Sequence, residues 1–192
     1  GNFALEDNTS GGNNIAIGSG SLASATDNIG NIALGFEALK TSANDGDRNI
    51  PVGYRAMKTG DVSGADNIGI GSLALEDLTT GASNVAIGKS AALNLTTGGS
   101  NVAIGNLAIG SGITTGDKNT VVGYSAAAAL TSGNNNTVLG SGALASATTN
   151  IANIALGADA LGSTVDDGDY NVALGVQALG AGDVSGDYNI AV

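Results

Sequence analysis

Asn84-Val85-Ala86-Ile87-Gly88 returns seventeen residues later as Asn101-Val102-Ala103-Ile104-Gly105. The same pattern of Asn, β-branched, small, aliphatic and Gly residues recurs along the whole chain. Its Asn anchors are Asn14, Asn31, Asn49, Asn67, Asn84, Asn101, Asn119, Asn136, Asn153, Asn171 and Asn189, spaced 17 or 18 residues apart without exception. After the Gly comes x-x-Ala-Leu in most units, as in Phe36-Glu37-Ala38-Leu39 and Val176-Gln177-Ala178-Leu179. A Gly/Thr/Ser/Asp segment then leads to the next Asn. Internal repetition of this kind decides the architecture before any local propensity does.

Seventeen residues are too few for a helix-turn-helix repeat. They suit one turn of a solenoid with a short strand and tight bends. The spacing therefore predicts an all-β fold, a parallel β-solenoid of eleven coils. Residues 1–192 form a single rod with no domain boundary. At about 4.8 Å per coil, the rod is roughly 50 Å long.

Composition agrees. The 192 residues include 32 Gly, 1 Pro, 4 Tyr, 2 Phe and no Trp. A thick aromatic core is excluded, and the 42% hydrophobic content argues against disorder. There is no Cys and no His. Disulfides, thiolate metal sites, zinc sites and hydrolytic triads lose their usual residues. With 6 Lys+Arg against 17 Asp+Glu the net charge is −11, which disfavours nucleic acid and anionic membranes. No apolar run is long enough for a membrane-spanning helix.

A longer period overlies the short one. Asn14–Ile70 matches Asn136–Val192 at about 31 of 57 positions, an offset of seven units. Block duplication suits an extendable rod. The chain begins at Gly1 and ends at Val192, one residue short of the next Gly, so joining its ends continues the repeat. The expectation is a segment of a longer array, or a subunit that stacks end to end.

Strand alternation assigns side chains to two faces. The expectation places Ile15 and Ile17, Ile32 and Leu34, and Val102 and Ile104 inside the coil. The small residues between them, such as Ala16, Ala33, Ala86 and Ala103, then form an apolar outer row suited to association of parallel chains. Leu22, Leu39, Met57, Leu75, Ile109, Leu144, Leu161 and Leu179 are expected in the interior. The Asn row is expected to form a structural ladder between coils. The Gly row from Gly18 to Gly175 is expected at a bend with positive φ or close backbone approach. A phosphate-binding loop is the rival reading for that row, and no Gly-x-x-x-x-Gly-Lys-Ser/Thr pattern supports it. Pro51 stands mid-strand, where it removes a ladder donor.

At these residues the chain resembles the head repeats of YadA-type trimeric autotransporter adhesins. The longer unit with Thr96-Thr97-Gly98 is similar to repeats of phage tail fibres and bacterial surface fibre proteins. The resemblance covers essentially the whole chain. It implies a left-handed β-roll, a homotrimer, and an extracellular, cell-surface or virion location.

Acidic residues gather before the Asn anchors: Asp45, Asp47, Asp61, Asp66, Asp117, Asp166, Asp167, Asp169, Asp183 and Asp187. The set Asp166, Asp167 and Asp169 is a weak calcium candidate. Against it stands a solvated acidic edge that keeps rods soluble and blunts lateral strand pairing. No other cofactor is expected. Paired carboxylates acting on a glycan lack the aromatic cleft that such chemistry uses. Ice binding favours a flat Thr-x-Thr strand row, whereas here the Thr pairs sit in turns. The expected function is therefore a non-enzymatic structural fibre whose partners are its own copies. The alternative is an adhesin or tail-fibre module binding a receptor or glycan through its lateral surface.

Overall fold

The computed structural model describes residues 1–41, 46–59, 61–110, 114–163, 168–182 and 184–192. Eleven short strands follow one another: β1 (Ile15–Ile17), β2 (Ile32–Leu34), β3 (Ile50–Val52), β4 (Ile68–Ile70), β5 (Val85–Ile87), β6 (Val102–Ile104), β7 (Thr120–Val122), β8 (Thr137–Leu139), β9 (Ile154–Leu156), β10 (Val172–Leu174) and β11 (Ile190–Ala191). They make one parallel sheet in strictly sequential order. Each strand touches only the strands of adjoining coils. The fold is a β-solenoid of about ten full turns, and the described residues contain no helix.

The bends follow from local conformation. Gly after each strand has φ between 127° and 147°. A Cβ at Gly35 would lie 2.2 Å from the carbonyl oxygen of Gly53 in the next coil. Both features demand glycine. Two and four residues later, non-glycine residues take left-handed φ, as at Glu37 (53°) and Leu39 (50°). That conformation is strained for L-residues. Hydrogen bonds between coils hold it: Glu37 N–H donates back to Ser19 O (2.9 Å) and Leu39 N–H forward to Ala56 O (3.0 Å).

The strand faces are the reverse of the expectation. Ala33, Ala86, Ala103, Val121, Val138, Ala155 and Ala173, the middle strand residues, are buried. The flanking residues point outward: Ile17 is 65% and Leu139 52% exposed. The reason is the width of the coil. Leu22, Leu39, Met57, Leu75, Ile109, Leu144 and Leu161 do fill the interior, with Leu179 partly buried against it. Val62, Leu78, Leu95 and Leu130 fill a third corner. Facing these side chains, the lumen takes small residues from the strand, Ala in most coils and Val at Val121 and Val138. Gly69 shows the limit, since a Cβ there would sit 3.0 Å from Met57 Cε.

Two coils fill the third corner differently. Ala25 and Ala147 stand where Leu78, Leu95 and Leu130 stand in other coils, and Asn28 and Asn150 replace the Gly three residues before the next anchor. Both Asn side chains are buried, donating to Gly46 O (3.0 Å) and Gly168 O (2.9 Å). A shorter apolar side chain and a longer polar one share the same space.

Pro51 leaves the local defect its chemistry requires. The β2–β3 pairing is registered only at Leu34 and Val52, whereas β3–β4 pairs at all three positions. Neighbouring coils keep the sequential order.

Candidate functional site

The Asn column is the most regular polar feature. Each Asn Oδ1 accepts the backbone N–H of the next Asn at 2.8–3.0 Å, unbroken from Asn14 to Asn189. In the middle of the rod Nδ2 donates to the preceding Oδ1, as Asn101 does to Asn84 (3.1 Å). It also donates to the carbonyl three residues before the next anchor, as Asn101 does to Gly116 (2.8 Å). Asn31 through Asn171 are buried. Their amides leave no free face toward solvent and act where one coil passes into the next. Replacing such a residue orphans buried partners on two coils.

Threonine supplies a second ladder that sequence reasoning missed. Thr79 Oγ1 donates to Thr96 O (3.0 Å) and Thr131 Oγ1 to Thr148 O (2.9 Å). The recurring Thr-Thr-Gly spacing was the available signal.

The acidic edge is partly structural. Asp47 Oδ1 accepts Ile29 N–H (2.7 Å), Asp117 Oδ1 accepts Gly99 N–H (2.6 Å), Asp169 Oδ1 accepts Ile151 N–H (2.8 Å) and Asp187 Oδ1 accepts Asp169 N–H (2.9 Å). All four belong to 18-residue coils. Their carboxylates join the bend of one coil to the backbone of the coil before it, as the Asn134 amide oxygen does for Asp117 N–H (2.7 Å) in a 17-residue coil. Of the calcium candidates, Asp166 and Asp167 lie outside the described residues, as do Asp45 and Asp183. Asp169 is engaged as above. Among the described residues no group of three or more carboxylates is placed to hold a metal ion.

Among the described residues, ion pairs concentrate in the three coils that begin at Asn31, Asn49 and Asn67. Glu37 receives Lys40 (2.7 Å) and Lys58 (3.0 Å), with Arg55 at 3.7 Å. Arg55 continues to Glu76 at 3.4 Å. Hydrogen bonds from Lys40 and Lys58 hold the Glu37 carboxyl below the ordinary glutamate range. Beside them Phe36 and Tyr54 stack at 5.5 Å, with Arg55 over the Tyr54 ring. Arg48 pairs with Asp66 through two bonds of 2.6 and 3.0 Å, which lowers the Asp66 pKa.

The outer face of the sheet is apolar along the rod. Its two columns run Ile15, Ile32, Ile50, Ile68, Val85 and Val102 and, beside them, Ile17, Leu34, Val52, Ile70, Ile87 and Ile104. Both continue to the end of the rod, with Thr120 and Thr137 as polar members. No helix of the described residues is long and apolar enough to cross a membrane. Comparison with protein-family models, with curated proteins and with solved structures returned no match for this chain.

Proposed function

We propose that the chain is a non-enzymatic structural rod whose copies associate laterally, as part of a fibre outside the cell or on a virion. One observation carries the reading: the apolar outer face of the sheet. The coil interior is already filled mainly by Ala and Leu, so the Ile, Val and Leu columns, half-buried to exposed, are surplus to the interior. An apolar stripe that runs the length of a soluble rod is the usual mark of an interaction surface. A partner with the same coil rise matches it along its whole length, and a second copy of this chain has that rise. Three parallel copies around a common axis, as the resemblance implies, cover every such face. Further coils continue the rod end to end through the unpaired strand edges of its terminal coils.

Mechanically, sequential coils joined by Asn, Thr and backbone hydrogen bonds resist bending, and only neighbours interact. Sedimentation equilibrium tests the association. The expected mass is three times that of the chain, collapsing to a monomer when Ile70, Ile87 and Ile104 are replaced by Lys. A monomeric native chain at micromolar concentration removes the lateral assembly.

A further inference from the structure

The side chains of the rod's lateral columns change from coil to coil. In the coils that begin at Asn31, Asn49 and Asn67, two lateral columns carry Glu37 and Lys40, then Arg55 and Lys58, then Leu73 and Glu76. In the coil that begins at Asn14 the same positions are Gly20 and Ala23. The missing side chains leave an open cleft of about 340 Å³. That volume is at the lower end of small-ligand sites, about 300–1,000 Å³. Phe3 and Phe36 wall it from the coils on either side, and Glu6, Ser19, Glu37 and Lys40 supply its polar groups. Tyr54 covers the face of Phe36 toward the next coil. Ser19 occupies the ring position in the cleft's own coil, so the opposite face of Phe36 borders the open space.

We propose that this cleft binds one pyranose ring of a neutral glycan. A pyranose has an apolar C–H face and a rim of hydroxyls. The electron-rich face of Phe36 suits the C–H face. Glu6 and Glu37 accept hydroxyl protons, and Lys40 donates to a sugar oxygen. Glu37 is fixed before any ligand arrives, between Lys40 at 2.7 Å and Lys58 at 3.0 Å. Preorganisation of this kind lowers the ordering cost of binding. The net charge of −11 disfavours anionic sugars.

The molecule contains its own control. Seven coils on, Gly142 and Ala145 repeat the bare floor, but Ala158, Asp159 and Gly162 replace Phe36, Glu37 and Lys40. The Asp159 carboxylate lies over Gly142. That counterpart has neither the ring nor the cation. Recognition at the cleft goes beyond the rod reading and is independent of lateral assembly.

The test is saturation-transfer NMR and calorimetric titration of the whole chain with the methyl glycosides of glucose, galactose and N-acetylglucosamine. The expected result is one saturable site per chain for at least one glycoside. Phe36→Ala and Ala23→Leu weaken it by about tenfold or more, while Ala145→Leu leaves it unchanged. Phe36 is exposed, so its truncation tests the site even where Ala23→Leu disturbs folding. Absence of saturation with all three sugars overturns the site, as does equal loss in Ala145→Leu. Either result leaves the mass measurement, and the rod reading with it, untouched.

Discussion

The coils from Asn14 to Ile70 and those from Asn136 to Val192 are two versions of one block, and they differ in a patterned way. Every Asn anchor, every Gly that ends a strand, and the pairs Leu22/Leu144, Ala25/Ala147 and Asn28/Asn150 are retained. Several lateral positions are not: Phe36, Lys40, Tyr54, Arg55 and Lys58 correspond to Ala158, Gly162, Val176, Gln177 and Gly180. The most instructive pair precedes the anchors. Arg48 and Asp66 form a bidentate ion pair across adjacent coils. Their counterparts, Tyr170 and Tyr188, stack at 5.0 Å with rings 7° from parallel. All four residues hold φ between 53° and 63°. The backbone thus fixes a slot one coil apart, and any two side chains that attract each other can occupy it. The coil fold resides in few columns, and the rest of the sequence is open to other uses.

The largest expected effects should be equal in the two blocks. Gly35→Ala and Gly157→Ala place a methyl within 2.2 and 2.3 Å of the next coil's carbonyl oxygen, at φ of 138° and 137°. Each is expected to destabilise the rod by roughly 3 kcal/mol or more. Urea denaturation monitored by circular dichroism measures it. A clear inequality between the two would break the claim that the blocks share one scaffold.

The ladder should show a graded difference. Asn153→Ala orphans the Asn171 N–H (2.8 Å) and removes one of the two amide donors, Asn153 and Asn150, that the Gly168 carbonyl accepts at 2.9 Å. Asn31→Ala orphans the Asn49 N–H (2.8 Å) and loses only a long 3.4 Å contact to Asn14. Each well-made bond left unmatched in the interior costs about 1–3 kcal/mol. Asn153→Ala is therefore expected to lower the melting temperature more than Asn31→Ala. The reverse order would mean that the amide donor contributes little beside the Oδ1 acceptor.

The paired slots come next. Double-mutant cycles to Ala are expected to give about 0.5–1.5 kcal/mol for Tyr170–Tyr188. The solvent-exposed Arg48–Asp66 pair is expected to couple more weakly than the stack. Repeating both cycles in about 1 M salt should erase most of the ionic coupling and leave the stack. Equal salt sensitivity would show that the tyrosines act through something other than ring contact.

How much of this was legible in sequence depends on what each signal measures. The 17–18-residue spacing of Asn and Gly reports coil length, and so the solenoid, the strand order and the bends could be read directly. The strand faces could not be read from alternation alone, because Ile15, Ala16 and Ile17 are all apolar. Size and variation held the answer. The middle position stays small almost throughout, which marks a tight interior. The flanks admit Thr120 and Thr137, which marks exposure. The acidic residues misled for another reason: composition counts Asp117 and Asp169 as charge, while their oxygens serve as backbone acceptors in the longer coils. The cleft arises from an absence, Gly20 and Ala23, visible only once coils are stacked in register.

Acid separates the two blocks by the smallest margin. Arg48 donates to the Asp66 carboxylate and lowers its pKa below the ordinary value. A depressed folded-state pKa contributes stability that is fully present above the unfolded value, near pH 4, and disappears as pH falls through the folded value. The Tyr170–Tyr188 contact is a ring stack rather than an ion pair. Asp66→Asn is therefore expected to be less stable than the native chain at pH 7, with the gap closing between about pH 5 and pH 2. Tyr188→Ala should keep a constant gap over the same window. Thermal melts of the three proteins across that range decide it. A gap for Asp66→Asn that persists at pH 2 would mean that the pair holds its slot by shape rather than charge, and the two blocks would then differ in side-chain identity but not in the kind of force that joins their coils.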